Sequence, residues 1–428
     1  MKLKKLDIKS YRHLEDVSFD FTYPEGHKNA GEPLKKICII GQSATGKTSV
    51  LELIKDSLVK LNSVEIINGT SFFGSFNLNF KGELKYLDKD ELLVIEETKI
   101  TKNGNEFINP QEPGSGGISK LVTDGLRVLY FSSDIISKET IDIFNQHPTN
   151  IITILSDEKY AGLAKRYNQP NYIYEFLQGK NEELWYSILS KIVDYRKKFF
   201  QMASALLNKG TVGDLSKLNK EYSQWSDANK NPLISFANYF DPILKKLSLE
   251  IDLVNTEYSI PIKSKINEDI IPISGLSTGT KGLLLSMFPL FELDTTDSII
   301  LLDEPERSLF PDMQLDLITH YQNIAPHAQF LVATHSPFIA AAFEPEERFI
   351  LYFKEDGKVA VRRGESPIGD DPNDILTNDF KVDYYNGFGK KAYQDYLSLK
   401  AKLAQETELE KKKKLVVELA ELGDKYNF

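Results

Sequence analysis

The chain has 428 residues, 41% of them hydrophobic, a formal net charge of −10 and one cysteine. That is enough apolar material for two or three structural units, and no stretch reaches the ~18 uninterrupted apolar residues of a membrane-spanning helix. A single cysteine excludes an intrachain disulfide framework or cysteine metal site, and the acidic balance excludes a global attraction for nucleic acid, so any contact with DNA must come from a local basic patch or a partner. The start, Met1 to Asp7, alternates like a strand where a signal peptide would need an apolar core, which leads us to expect a cytoplasmic protein with no membrane partner.

Residues 3–10 and 17–22 alternate apolar and polar side chains and predict a strand pair. Ile37 to Ile40 is an apolar run that predicts a buried strand, with Cys38 as a small buried hydrophobe. It leads into Gly41-Gln42-Ser43-Ala44-Thr45-Gly46-Lys47-Thr48, which satisfies G-x-x-x-x-G-K-S/T, and Thr48 to Asn62 reads as a helix. Strand, glycine-rich turn and helix together form a P-loop, in which successive backbone N–H groups wrap a polyphosphate at the positive end of the helix dipole. We therefore expect ATP to be bound by Gly41, Ser43, Ala44, Thr45, Gly46, Lys47, Thr48 and Ser49, with Lys47 on the β/γ-phosphates and the Thr48 hydroxyl on Mg²⁺.

From 64 to 100 the pattern again has period two, with Phe76, Leu78 and Phe80 in one segment and Leu92 and Val94 in another. It predicts an antiparallel sheet beside the P-loop strand. Asn103 to Gly117, rich in glycine and proline, predicts a loop. The character changes near 155. Trp185, Ile188, Ile192, Tyr195, Phe199, Met202 and Leu206, then Leu215, Leu218, Tyr222 and Trp225 beyond Asn208 to Gly213, predict a helical hairpin with a heptad seam. A protruding coiled coil and an ordinary amphipathic core pair both fit three heptads.

Gly275 to Gly282 precedes a helical run, Leu283 to Phe291, with Ser277 as N-cap and Gly279 permitting close backbone approach, a second helix N-terminus suited to phosphate. Ser298 to Glu304 is an apolar run ending in two carboxylates, the form of a Walker B strand whose tip faces the nucleotide. Asp303 is expected to hold Mg²⁺ and Glu304 to polarise the attacking water as general base. Phe330 to Pro337 is a second apolar run ending in Thr-His-Ser, where His335 can contact the γ-phosphate. Near the end, Lys411 to Lys414 follows Glu408 and Glu410, and Glu408/Lys412 and Glu410/Lys414 predict i,i+4 pairs on a solvated helix face, with Leu415, Leu419 and Leu422 at helical spacing.

Leu276 to Lys281 resembles the signature motif of ABC-type ATPases, with Thr280 in place of the usual Gln or Glu, and Pro305-Glu306-Arg307-Ser308-Leu309-Phe310-Pro311 looks like the D-loop after Walker B. The order of P-loop, long interruption, signature, D-E-P-E and T-H-S-P resembles the ABC ATPases of the RecF and SMC type, most closely small AAA-labelled ATPases related to the OLD family. The resemblance covers roughly residues 1–60 and 270–345. Ser10-Tyr11-Arg12-His13-Leu14 resembles this branch's N-F-R-x-L segment, which implies that Arg12 approaches bound phosphate. Phe131-Ser132-Ser133-Asp134 stands where a Q-loop glutamine would be expected.

The resemblance implies an α/β fold, an ABC/RecF-like P-loop ATPase sheet with an antiparallel β subdomain and a helical insertion. The expected division is 1–150 and 256–355 for the two parts of the ATPase domain, 151–255 for the insertion and 356–428 for a helical tail. It further implies a dimer, or a higher oligomer, in which Ser277 and Gly279 of one subunit close on the nucleotide of another. OLD-type proteins add a TOPRIM-type nuclease, but Gly369 to Asp374 lacks a leading apolar strand and predicts a turn. The implied role is an ATPase that regulates a separately encoded effector, such as the nuclease of Septu-like or PARIS-like anti-phage systems. The alternatives are a repair clamp acting directly on DNA, or a transporter's nucleotide-binding subunit.

Overall fold

The structure, a computed structural model, describes residues 1–62, 64–67, 70–73, 79–96, 100–106, 126–160, 162–167, 172–179, 182–210, 213–382 and 387–426. Its first part comprises β1 (Lys2–Tyr11), β2 (Leu14–Asp20), β3 (Lys36–Gly41), α1 (Lys47–Asn62), β4 (Val64–Ile67), β5 (Thr70–Phe73), β6 (Lys81–Asp88), β7 (Glu91–Glu96), β8 (Ile100–Lys102), β9 (Asn105–Glu106) and β10 (Arg127–Phe131). Next come α2 (Lys138–Asn145), α3 (Pro148–Leu155), α4 (Leu163–Tyr167), β11 (Tyr172–Phe176), α5 (Glu182–Asn208), α6 (Leu215–Ala228), α7 (Pro232–Lys245), β12 (Leu249–Ile251), β13 (Ile262–Ser264) and β14 (Ile270–Ile271). The last part holds α8 (Thr278–Glu292), β15 (Ile299–Asp303), α9 (Pro311–Leu315), α10 (Leu317–Ile324), β16 (Gln329–Ala333), α11 (Pro337–Ala340), β17 (Arg348–Phe353), β18 (Val359–Arg363), α12 (Pro372–Asn378), α13 (Gly387–Gln405) and α14 (Leu409–Tyr426).

The central sheet runs β11-β10-β15-β16-β3-β17-β18, parallel throughout except for β18 at the edge. Side chains alternate along a strand, so a sheet covered on both faces needs apolar residues at every position. Ile37, Ile39, Ile299, Leu301, Leu331 and Ala333 pack with α1 and the antiparallel sheet β2-β1-β6-β7-β8-β9 in one core. Cys38, Ile40, Ile300, Leu302, Phe330 and Val332 face the other, built from α2, α5, α7, α8 and α10. This is the expected α/β ATPase sheet with its antiparallel subdomain.

Several expectations shift in detail. Residues Leu93 and Ile95, not Leu92 and Val94, are the buried pair of β7. Leu92 to Ile95 are all apolar, so parity is ambiguous until pairing opposite Tyr86 and Leu84 on β6 decides it. Phe76, Leu78 and residues 107–117 of the predicted loop lie outside the described residues.

The segment 151–255 contributes β11 to the central sheet, paired in parallel with β10, between its short helix α4 and the long helix α5. The heptad seam divides: Trp185, Ile188 and Ile192 are buried in the helical core, while Tyr195 and Phe199 meet Trp225 of α6 at ring distances of 5.6 and 5.8 Å. No residue of α6 is buried and most of the outer part of α5 is not, although Leu206 near its end is, so the hairpin is core at its base and only partly covered toward its end.

In 356–428, β18 pairs antiparallel with β17 before the helices start. The ion pairs on α14 are i,i+3, Glu408 with Lys411 at 2.6 Å and Glu410 with Lys413 at 3.2 Å, rather than the expected i,i+4 pairs. Both spacings place side chains on one helical face, and extended lysines choose between them. Among the described residues no helix is long and apolar enough to cross a membrane.

Candidate nucleotide-binding and hydrolysis site

The carboxyl ends of β3, β15 and β16 lie side by side, with Asp303 opposite Ala333 and Ala333 opposite Ile39 in register. Whatever follows each strand is delivered to one crevice. After β3 comes the P-loop. A Cβ at Gly41 would stand 2.2 Å from the Leu351 carbonyl oxygen of β17, so only glycine lets the chain leave the sheet there. Gly46 has φ +96° and Ala44 φ 65°, left-handed positions that curl the loop and turn its amides inward.

Lys47, at the start of α1, curls back and donates to the Gly41 and Gln42 carbonyls, each at 3.1 Å. Burial lowers its pKa to about 8 against the opposing pull of Glu304 and Asp303. An ammonium penalised in this way favours an anion beside it. The Thr48 hydroxyl meets both Asp303 carboxylate oxygens, at 3.1 and 3.0 Å. Asp303 is buried, and desolvation raises its pKa to about 6 although the Thr48 hydroxyl opposes the rise. A buried carboxylate raised by desolvation, held against a hydroxyl, is the donor set of a hard oxygen-seeking cation. The P-loop curl, the buried ammonium and this hydroxyl–carboxylate pair therefore fit a Mg²⁺–nucleotide.

Glu304 follows Asp303 at φ 48°, its N–H donating to the Ala333 carbonyl at 2.8 Å. That left-handed turn lifts its side chain off the sheet toward the switch, where its Oε1 is 3.6 Å from His335 Nε2. Burial and the Lys47 charge lower the His335 pKa, so the imidazole is neutral at pH 7 and this is a close polar approach rather than an ion pair. A carboxylate and a neutral imidazole at this separation can together orient and deprotonate a water.

Arg12 has φ 54° and places its guanidinium on the outer side of α1, donating to Ser49 Oγ at 3.1 Å and to the Glu52 carboxylate. It reaches the helix that carries Lys47 and Thr48. His13, beside it, covers the P-loop: a Cβ on Gly46 would lie 2.9 Å from His13 Nε2. The sequence offered His13 only as the variable residue of its motif.

Ser277 and Gly279 sit elsewhere. Ser277 caps α8, its Oγ accepting from Thr280 N–H at 3.2 Å and lying 2.7 Å from Thr280 Oγ1. Thr280, where the motif has Gln or Glu, thus closes the cap with a short hydroxyl. Gly279 is buried against the D-loop, where a Cβ would stand 2.4 Å from the Ser308 carbonyl oxygen. Among the described residues neither shares a hydrogen bond with the P-loop of its own chain. Ser277 and Thr278 are exposed.

The segment 131–134 ends β10 beside this site. Its Asp134 pairs with Arg307 of the D-loop, and Arg307 also donates to the Ser133 carbonyl at 3.1 Å. A cavity of about 270 Å³ opens between this segment, Thr278, Ser308 and Tyr321, with Asp303 and Glu304 in its wall. The D-loop is thereby fastened to β10 on one side and to α8 on the other.

Residues 81–340, well over half of the chain, match the family described as an AAA ATPase domain; the match begins beyond the P-loop and takes in the Ser277 cap, Asp303, Glu304 and His335. No curated protein matches the sequence. Among solved structures, an SMC head bound to the C-terminal winged-helix domain of ScpA is similar at 14% identity and a TM-score of 0.40, covering 85% of this chain and 97% of that one. The SMC head domain from Thermotoga maritima is similar at 13% identity and a TM-score of 0.40, over 86% of this chain and 100% of that one. An SMC head with an extended coiled coil, bound to the C-terminal domain of ScpA derived from Pyrococcus furiosus, has 16% identity and a TM-score of 0.40, over 85% of this chain and 96% of that one.

Proposed function

The chain belongs to the AAA ATPase domain family and hydrolyses ATP, and from that premise we propose that it is an ABC-type regulatory ATPase that dimerises around ATP and controls a separately encoded effector in the cytoplasm. Lys47 and the loop amides hold the β- and γ-phosphates, Thr48 and Asp303 hold Mg²⁺, and Glu304 with His335 orients the attacking water. Bound Mg²⁺ supplies neutralisation of the charge that develops on the phosphates. Ser277 completes the site of a second copy, head to tail, so that ATP joins two subunits and its hydrolysis separates them.

The observation that carries this reading is the division of the motifs within one chain. Lys47, Thr48, Asp303, Glu304 and His335 converge on one crevice, while among the described residues the exposed Ser277 at the start of α8 shares no hydrogen bond with that P-loop, and its neighbour Thr278 meets the site only across the cavity that Asp303 and Glu304 line. An exposed helix start favours a negative charge beside it, and in this reading a second subunit's nucleotide supplies that charge. The order of motifs, similar to that of OLD-related ATPases, supports a nuclease as effector and anti-phage defence as the setting. Asp371, in the segment weighed against a nuclease centre, caps α12 by accepting from Asn373 N–H at 2.7 Å.

The test uses the full chain and light scattering with ATP and Mg²⁺. Glu304→Gln is expected to bind ATP, accumulate as a dimer and lose about 100-fold or more in turnover, the scale of a lost general base. Lys47→Ala is expected to bind ATP weakly and stay monomeric. Ser277→Arg mixed with Lys47→Ala should recover one working site per heterodimer. Wild-type turnover in Glu304→Gln, or heterodimers without activity, would refute the respective assignments, and metal-dependent DNA cutting by the chain alone would refute the separate effector.

A further inference from the structure

Glu306 belongs to the D-loop by sequence, yet its side chain serves the switch. It is buried, and its Oε1 accepts two hydrogen bonds, from the Thr334 hydroxyl at 2.5 Å and from the His335 backbone N–H at 3.1 Å. Its other oxygen, Oε2, is buried with no hydrogen-bond partner among the described residues. Burial pushes this carboxyl up, tempered first by the Thr334 hydroxyl. An acceptor oxygen that takes up a side-chain and a backbone donor from consecutive residues in a buried site fixes the backbone that carries them.

The second end of the switch is tied to the same loop. Ser336 Oγ donates to Gln314 Oε1 at 2.5 Å, and Gln314 Nε2 donates to the Leu309 carbonyl at 2.8 Å. Thr334 Oγ1 also accepts from Ser336 N–H at 2.9 Å. The three residues that present His335 are therefore fastened to both ends of the D-loop, and that loop packs on Gly279 of α8. The Thr334 N–H faces β3, at the Ile39 carbonyl, and the Ala333 carbonyl faces β15, at the Glu304 N–H, so the His335 N–H points to the β15 side beyond the end of that strand, where Glu306 takes it.

We propose that Glu306 is the positioning residue of the hydrolytic pair: by clamping the Thr334–His335 backbone to the D-loop it sets the His335 imidazole at its 3.6 Å approach to Glu304. Glu306 acts through His335, because its accepting oxygen is taken up by Thr334 and the His335 backbone. The same clamp makes the switch sensitive to the D-loop, so a displacement of Ser308 against α8 is transmitted to His335 through one side chain. This inference rests on the reading of His335 as part of the hydrolytic site.

The test is a double-mutant cycle on the full chain, with steady-state turnover and titration of a fluorescent ATP analogue as separate readouts. Glu306→Gln keeps an acceptor oxygen at Oε1 and is expected to turn over within about threefold of wild type. Glu306→Ala is expected to lose about tenfold or more in kcat while nucleotide affinity moves less than about threefold, the signature of a misplaced group rather than a lost binding contact. In a His335→Ala background Glu306→Ala should add no further loss. Where Glu306→Ala does not fold, Thr334→Val removes one of the two donors at constant shape and is expected to slow kcat only when His335 is present. Wild-type turnover in Glu306→Ala or in Thr334→Val overturns the proposal, as do losses that multiply in the double variant; multiplication with a slow His335→Ala leaves His335 in its role and removes only Glu306. Wild-type turnover in His335→Ala overturns both.

Discussion

Asp303 carries an opposition between stability and function that a single substitution exposes. Burial raises its pKa from 3.8 to about 6, so between those values the folded state holds a proton that the unfolded chain has released. The stability contributed by this proton is present below pH 4 and is lost as pH rises to 6, leaving a buried charge at neutral pH. Asp303→Asn in nucleotide-free protein is therefore expected to match wild type near pH 4 and to gain on it up to pH 6, reaching on the order of 1–3 kcal/mol above that. Thermal melts of both proteins across this range check the sign, and a difference that shrinks with rising pH would refute it. Hydrolysis by the same variant should be abolished with the loss of the cation ligand. Lys47, Thr48, Asp303 and Glu304 were legible as residues because each follows an apolar run at a fixed offset. Glu306 and Gln314 were not, because what they do is defined by Thr334 and Ser336 on a different strand.

At the level of elements, α8 and the D-loop meet at one backbone contact. Gly279 allows the first turn of α8 to rest on the Ser308 carbonyl, and Ser308 itself has φ 63°. Gly279→Ala puts a methyl group 2.4 Å from that oxygen and 2.9 Å from Leu309 Cδ2, so the D-loop must shift. We expect about 1–3 kcal/mol of destabilisation, the range for overpacking, together with slower turnover at nearly unchanged ATP affinity. Denaturant unfolding and ATPase assays check this, and unaltered stability would show that the loop yields freely. Glycine at this offset was legible in the sequence; that its partner is the chain's own D-loop was not. The same limit holds for the heptad seam, whose spacing is uniform from Trp185 to Trp225 while its burial is not.

Over the whole molecule, β17 of the central sheet is tied to the end of α12 by a buried ion pair. Arg348 Nε and Asp379 Oδ2 approach to 2.9 Å with both side chains fully buried, without hydrogen-bond alignment at that contact. Each is held by other bonds: Arg348 Nη1 donates to the Ala340 and Phe343 carbonyls at 3.2 and 3.1 Å, and Asp379 Oδ1 accepts from Glu365 N–H at 2.7 Å. Asp379→Ala leaves the guanidinium uncompensated and is expected to destabilise the protein by about 3–5 kcal/mol, whereas Arg348→Met with Asp379→Leu should recover much of that loss. Chemical denaturation of the two variants decides; equal losses would mean that packing and not charge dominates. The pair also joins β17 to the segment after α12, beyond β18, the strand that carries the central sheet past residue 355.

What the sequence by itself determined is the local chemistry: a P-loop between strand and helix, an apolar strand ending in Asp303-Glu304, another ending in Thr334-His335-Ser336, and a capped helix start at Ser277. Each is set by residue type and offset within about ten positions, where backbone geometry leaves few choices. Tertiary structure alone decided which of these meet. Parallel strands pair across long intervals, so the order β10-β15-β16-β3 that brings Asp303 to Thr48 has no local signal. Face parity in β7, the entry of β11 and β18 into the central sheet, and the clamp from Glu306 to His335 were likewise decided by partners distant in the chain, because burial and hydrogen bonding are properties of neighbours in space.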